Sequence, residues 1–166
     1  MKEVLLIVDY QYDFANPKGT LYVQGADQIG SYIEQLIKKF QKENKLIVGS
    51  KDWHPIDHYS FAQWGPHCIQ NSLGAELLYD AKILDKLIIK GENQNLESYS
   101  AFYDEQDNSN GLHEWLQKQN IEQIYLVGVA TDVCVGNTLN DALKLGYKVK
   151  LDLNGCAGIT NVIKFK

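Results

Sequence analysis

The sequence predicts a doubly wound α/β fold, in which helices cover both faces of a mainly parallel β-sheet. Short runs of apolar, often β-branched residues alternate with longer segments whose apolar residues recur at helical spacing. The short runs are apolar on both sides, which is typical of strands buried in a parallel sheet. Such sheets bind ligands beyond the carboxyl ends of their strands, so the fold class also indicates where to look for a site.

Each element follows from one of these patterns. The first strand is nearly all apolar, and in the first long helix Ile33, Ile37 and Phe40 recur on one face. The last helix has the same spacing through Val135, Leu139 and Ala142, and Gly146 separates it from the final strand. The predicted strands cover residues 4–9, 46–50, 87–90, 124–129 and 148–153, and the predicted helices cover residues 28–44, 111–120 and 132–145.

Composition limits the classes of function. With 166 residues, of which 45% are hydrophobic, residues 1–166 are expected to form one domain with its own core. The net charge of −5 and the lack of a long basic run argue against nucleic acid or a membrane surface as the partner. The chain has three widely spaced cysteines, which suits free thiols in a reducing compartment, so a cytoplasmic location is expected.

Cys134 lies in the segment GVATDVC at residues 128–134, just after a predicted strand. The pattern places it in the first turn of the following helix, where unpaired N–H groups and the helix dipole favour a thiolate. A buried cysteine that acts only as a small hydrophobe fits the same spacing. The segment alone therefore leaves a nucleophile and a core residue as alternatives.

Other strand ends carry reactive groups. Asp9 ends the first predicted strand and Lys90 ends the third, so the topology brings a carboxylate, an ammonium group and the Cys134 thiol to one edge. In such a set the carboxylate can take the thiol proton while the lysine favours both anions. A strand-end aspartate or lysine taken singly is more often a cap or a solvated residue.

A candidate metal site follows the second strand. Asp52 and His54 are two residues apart, so their side chains point the same way in an extended chain, and His67 follows in the aromatic segment after them. One carboxylate and two imidazoles suit zinc, manganese or iron. His58 is interpreted as a turn residue, although it and Ser60 stay open as further ligands, and Cys68 is interpreted as structural.

Seven short motifs are spread along the chain: VDYQYDF (8–14), KDWHP (51–55), HYSF (58–61), WGPHC (64–68), IKG (89–91), YSAF (99–102) and GVATDVC (128–134). They occur in the order found in the isochorismatase-like cysteine hydrolases, and over residues 4–158 the chain resembles the metal-containing nicotinamidase branch of that family. The motifs KDWHP and WGPHC, which contain the candidate metal ligands, are the ones that point to this branch.

The resemblance implies a function and a role for each matched residue. Cys134 is similar to the family nucleophile, Asp9 to its general base and acid, and Lys90 to the residue that positions both. The expected activity is hydrolysis of nicotinamide to nicotinate and ammonia through a thioester, with the ring nitrogen of the substrate turned toward the metal. A cis peptide is expected before Ala130, so that the N–H groups of Ala130 and Cys134 face the oxyanion. The resemblance implies a divalent metal, zinc in preference to manganese or iron, with Asp52, His54 and His67 as its ligands. It also implies that Phe14, Trp64 and Tyr99 form the walls of the pocket for the substrate ring.

The chain departs from this family after residue 158, where relatives usually continue with a helix and a final strand. We expect residues 162–165 to form a shortened edge strand and an uncovered apolar surface to favour a homo-oligomer. The polar residues of the fifth predicted strand place it near a sheet edge. Two alternative functions are open, a related amidohydrolase acting on an N-carbamoyl or ureido substrate and a catalytically silent relative.

Overall fold

The computed structural model describes residues 1–160 and 162–166 and contains a five-stranded parallel sheet with the order β3-β2-β1-β4-β5. Among the described residues, none of the helices is long and apolar enough to cross a bilayer. The strands are β1 (Glu3–Val8), β2 (Leu46–Asp52), β3 (Lys86–Lys90), β4 (Gln123–Val129) and β5 (Lys148–Ala157). The helices are α1 (Tyr12–Ala15), α2 (Gly30–Lys42), α3 (Phe61–Trp64), α4 (Leu112–Lys118) and α5 (Gly136–Lys144).

Helices cover both faces of the sheet, which confirms the predicted fold class. On one face Leu5 and Ile7 of β1 belong to a core that includes Phe40 of α2. On the other face Leu6 of β1 belongs to a core that includes Leu116 of α4, together with residues of α5. Because β1 is central and alternate residues point to opposite cores, the whole strand is apolar.

The two long predicted helices begin differently from the prediction. The first starts as a 3₁₀ turn at Ala26–Ile29 and becomes α-helical at Gly30. Before α5 the chain forms a π-helical turn, Thr131–Val135, in which the N–H groups of Val133 and Val135 both donate to the carbonyl of Ala130. Cys134 therefore lies in this π turn rather than in the first turn of an α-helix.

The fifth strand is at the sheet edge, as its polar residues predicted, but it is longer than expected. Its register against β4 shifts between Leu126 and Gly128, and this irregularity carries the pairing on to Ala157. The prediction of a strand at residues 162–165 is wrong, since these residues form no strand. That segment instead lies beside α5, where the side-chain amide of Asn140 donates to the carbonyl oxygen of Lys164 over 2.8 Å.

Candidate active site

The site lies at the carboxyl end of the sheet, where the strand order reverses between β1 and β4. Asp9 directly follows β1, Asp52 and Lys90 are the last residues of β2 and β3, and Cys134 lies in the π turn after β4. A crevice forms at such a reversal because the connections on its two sides go to opposite faces. The four side chains predicted from strand ends are thus on adjacent strands of one edge.

Local backbone geometry brings β1 and β4 close together at this edge. Gly128 has a φ of +130°, and a Cβ atom there would lie 2.2 Å from the carbonyl oxygen of Val8. Only glycine fits so close to a neighbouring strand. Asp9 has a positive φ of 48°, and its N–H donates to the carbonyl of Ser50 over 3.1 Å. The chain thus turns sharply after β1 and stays attached to β2.

Asp9 and Lys90 form a buried ion pair, with 2.6 Å between Asp9 Oδ2 and Lys90 Nζ. Neither side chain is exposed to solvent. Ser50 Oγ donates to the other carboxylate oxygen of Asp9 over 2.7 Å, and Lys90 Nζ also donates to the carbonyl of Tyr99 over 3.0 Å. Both oxygens of Asp9 are therefore held in place.

Burial governs the protonation states of this group. Burial raises the pKa of Asp9, and the neighbouring ammonium of Lys90 opposes that rise. Burial alone would lower the pKa of Lys90, but Asp9, Cys134 and Asp52 together hold it well above its ordinary value. The carboxylate is consequently a better proton acceptor than one in water, and the lysine stays charged.

The expected bias of Cys134 toward a thiolate is wrong. Its side chain is only 8% exposed, and burial raises the pKa of the thiol well above its ordinary value. Lys90 lowers this pKa, but Asp9 raises it again, and the π turn replaces the helix end from which the bias was expected. The resting cysteine is therefore a neutral thiol that needs a base.

Asp52, His54 and His67 lie together, with one ligand atom from each within 4.8 Å of the others. The Oδ2 atom of Asp52 is 3.5 Å from Nε2 of His54 and 3.8 Å from Nε2 of His67. All three residues are buried. Burial would raise the pKa of Asp52, but Lys90 and the two histidines hold it below its ordinary value, so the group is an anionic donor.

The hydrogen bonds around this set fit a metal ion. Nδ1 of His54 donates to the carbonyl of Gly91 and Nδ1 of His67 donates to that of Gly65, each over 2.8 Å, so in the neutral rings the Nε2 atoms keep their lone pairs. Among the described residues, Asp52 Oδ1 and His54 Nε2 are buried without a hydrogen-bond partner. Unpartnered buried polar atoms are costly, and a divalent cation bound here would pair with His54 Nε2 and with the carboxylate of Asp52.

His58 is not oriented as a ligand. Its Nε2 donates to the carbonyl of Leu96 over 2.8 Å, and its Nδ1 accepts from the backbone N–H of Ser60 and lies 2.8 Å from the hydroxyl of Ser60. Both ring nitrogens and the Ser60 hydroxyl are thereby occupied, in agreement with the interpretation of His58 as a turn residue. Cys68 is fully buried, and its N–H donates to Asp13.

A small apolar cavity opens above these groups. Its volume is about 90 Å³, far below the roughly 300–1,000 Å³ of sites for drug-sized ligands, so its size suits a ligand with a single small ring. The indole N–H of Trp64 donates to the hydroxyl of Tyr99 over 3.2 Å. Phe14, Trp64, Tyr99, Ala130 and Cys134 line the cavity, together with Asp52 and His67.

Three site residues are absent from the sequence prediction. Ser50 holds Asp9, and Gln11 exchanges two hydrogen bonds of 2.8 Å with the backbone of Asp52. The available signal was a polar residue within an apolar strand for Ser50, and a polar residue two positions beyond the predicted first strand for Gln11. Glu97 is 97% buried beside His54, and burial together with the charge of Asp52 raises its pKa to about 7. No periodic pattern marks Glu97, which lies in an irregular segment.

Comparisons with known proteins agree with this geometry. A family model described as "Isochorismatase domain" matches residues 3–163. The nicotinamidase of Escherichia coli strain K12 is 37% identical over 93% of this chain and 83% of that protein. The structure of PnC1 from L. infantum in complex with nicotinate has a TM-score of 0.90 and 34% identity, over 96% of this chain and 83% of that one. The pyrazinamidase of Pyrococcus horikoshii in complex with zinc has a TM-score of 0.88 and 36% identity, over 96% and 88%.

Proposed function

The chain belongs to the isochorismatase family, and on that premise we propose that it is a metal-containing cysteine amidohydrolase that converts nicotinamide to nicotinate and ammonia. The observation that carries this proposal is the buried pair of Asp9 and Lys90 at a one-ring cavity that Cys134 lines. The relatives that bear the name nicotinamidase, and the structure with nicotinate, support this choice of substrate.

The first half-reaction needs a base because the thiol is neutral at rest. Asp9 accepts the proton of Cys134, and the sulfur attacks the carboxamide carbon to form a C–S bond. The backbone N–H groups of Ala130 and Cys134 are assigned to the oxyanion, a contribution worth about 2.7–4 kcal/mol in comparable sites. Asp9 then gives its proton to the leaving nitrogen as the C–N bond breaks, which releases ammonia.

The second half-reaction uses the same carboxylate. A water molecule loses a proton to Asp9 and attacks the thioester carbon, and the C–S bond breaks as the proton returns to the sulfur. Lys90 stays protonated throughout, because three neighbouring acidic groups raise its pKa. Its role is to hold Asp9 in one position and to balance its charge, which keeps the carboxylate available in both halves.

Asp52, His54 and His67 are assigned to the metal, with zinc preferred over manganese or iron because of the zinc complex of a relative. When bound, a divalent cation supplies Lewis-acid contact for the ring nitrogen of a pyridine. Phe14 and Trp64 are assigned to the walls that hold the ring, with Tyr99 beside Trp64. We propose nicotinamide as the binding partner of the protein and the cytoplasm as its location.

Ammonia release from nicotinamide tests the proposal, measured on the zinc-loaded protein with and without a chelator. We expect release that depends on metal, and a Cys134→Ala variant that binds zinc but gives no turnover. Turnover of Cys134→Ala within a few fold of the parent protein would reject the nucleophile. Release from an N-carbamoyl or ureido compound with none from nicotinamide would replace the substrate assignment, and no release from either would indicate a silent relative.

A further inference from the structure

Glu97 is a buried acid for which the proposed reaction has no use. Its side chain is 3% exposed, and its Oε2 atom lies 3.6 Å from Nε2 of His54, the nitrogen that has no hydrogen-bond partner among the described residues. Glu97 also forms a second cluster of potential ligand atoms with His54 and His58, within 4.8 Å of one another. Because both nitrogens of His58 are occupied, that cluster has only two available groups.

The position of Glu97 is fixed by its surroundings. Its Oε1 atom accepts the N–H of Ser98 over 2.9 Å, and its backbone carbonyl accepts the N–H of Glu105 over 3.0 Å. Gly91 makes room for it: a Cβ atom there would lie 2.4 Å from the ring of His54 and 3.3 Å from Glu97 Oε1. One carboxylate oxygen is therefore anchored to backbone, and the other is directed at the metal site.

Asp52 and Glu97 are buried acids that have no ammonium group of their own in the described part of the chain. Asp9, Asp52 and Glu97 are buried carboxylates, and Lys90 is the one buried ammonium that faces them among the described residues. Lys90 lies 2.6 Å from Asp9 and 3.6 Å from Asp52, so it is committed to Asp9. Asp52 Oδ2 and Glu97 Oε2 lie 3.5 Å and 3.6 Å from the same atom, Nε2 of His54. A divalent cation held by Asp52 and His54 would therefore lie beside a second carboxyl group, and a buried carboxylate is stabilised by a nearby cation.

We propose that Glu97 is a fourth protein group of the metal centre, an outer carboxylate beside His54 that supplies the second negative charge and strengthens the binding of a divalent cation. This inference rests on the proposed function, since it assumes that Asp52, His54 and His67 are the ligands. It makes Glu97 a positioning residue that acts through the ion and its ligand, although its side chain also reaches the wall of the cavity.

Zinc affinity of the metal-free protein tests the inference without any substrate. Zinc chloride is titrated in competition with a chromogenic chelator into the parent protein and the variants Glu97→Gln, Glu97→Asp and Glu92→Gln. Glu92 is an exposed acid in the same segment, so its variant is a matched control for the change of charge. We expect Glu97→Gln to weaken zinc binding about 10- to 100-fold, as outer partners of metal ligands do, with partial rescue in Glu97→Asp. Glu92→Gln is expected to leave the affinity unchanged.

Thermal unfolding separates this role from a structural one. If Glu97 serves the metal and not the fold, metal-free Glu97→Gln unfolds at the same or a higher temperature than the parent protein, and zinc raises its unfolding temperature less. A variant that fails to fold without metal, or that binds zinc as the parent does, overturns the inference. Ammonia release by the parent protein is measured separately, so a loss of the proposed function would be recognised independently of the result for Glu97.

Discussion

Replacing Lys90 by methionine tests the reasoning about the buried ion pair most directly. The side chain keeps a similar length but loses the ammonium that lies 2.6 Å from Asp9 and the hydrogen bond of 3.0 Å to Tyr99. At the effective dielectric constant of about 20 that suits protein sites, two charges at 2.6 Å attract by about 6 kcal/mol. Desolvation offsets part of this, and breaking a buried pair by removing one partner destabilises proteins by about 3–5 kcal/mol.

We therefore expect Lys90→Met to lower the free energy of unfolding by about 3–5 kcal/mol, because Asp9 is left as an uncompensated buried charge. Urea denaturation of the metal-free proteins measures this loss. The double variant Asp9→Asn/Lys90→Met has no isolated charge at the pair, so it is expected to recover much of the stability while giving no ammonia release. Recovery of stability without recovery of activity would separate the energetic role of the pair from its chemical one.

Two results would refute this reasoning. A loss below about 1 kcal/mol in Lys90→Met would match an exposed salt bridge rather than a buried one. A double variant as unstable as the single one would show that the lysine acts through packing or through Tyr99, and not through the charge of Asp9. Lys90→Arg is a useful control, since it keeps the positive charge but replaces the compact ammonium group by a planar guanidinium group.

Two further predictions concern the thiol and the metal ligands. Because burial raises the pKa of Cys134, iodoacetamide is expected to modify it at least about tenfold more slowly than free cysteine at pH 7, and the rate should rise as the pH approaches this raised pKa. Mass spectrometry follows the modification, and the Cys134→Ala variant identifies the signal of Cys134. Modification faster than that of free cysteine would show a thiolate instead. His67→Ala is expected to weaken zinc binding by more than about 100-fold, beyond the effect of an outer partner, because it removes a ligand. His113, which contacts Tyr147 away from the site, supplies the control variant His113→Ala, and equal zinc affinity in the two variants would remove His67 from the ligand set.

The sheet and the residues at its strand ends were predictable because both follow from repeating patterns. A strand buried on two faces has to be apolar throughout, so β1 is visible in the sequence as a continuous run. Parallel strands then bring their carboxyl ends to one edge, which places Asp9, Asp52 and Lys90 together without any knowledge of distances. The apolar pattern does not predict the full length of β5, the outermost strand, because a shift in register against β4 lets its polar residues continue the strand.

The irregular segments were not predictable in the same way. The π turn at Thr131–Val135 has helical spacing in its sequence, and spacing does not reveal that the N–H of Val135 donates to the carbonyl of Ala130 instead of to that of Thr131, as it would in an α-helix. The position of Glu97 depends on its bond to Ser98 and on the space beside Gly91, which are contacts made only after folding. Sequence patterns thus identify groups that regular elements position, and they miss groups that loops position.

The strand order also explains why a lysine is required at position 90. Lys90 is paired in register with Asp52 on the neighbouring strand, whereas its ion-pair partner Asp9 follows β1, one strand farther away. Neighbouring strands are about 4.8 Å apart, so a side chain on β3 has to cross roughly 10 Å of sheet edge to meet a group on β1. A long side chain and the turn that brings Asp9 toward β2 can together cover this distance. Because the ammonium passes Asp52 and pairs with Asp9, the oxygens of Asp52 stay available to the histidines, and one sheet edge holds a proton-transfer pair and a metal site side by side.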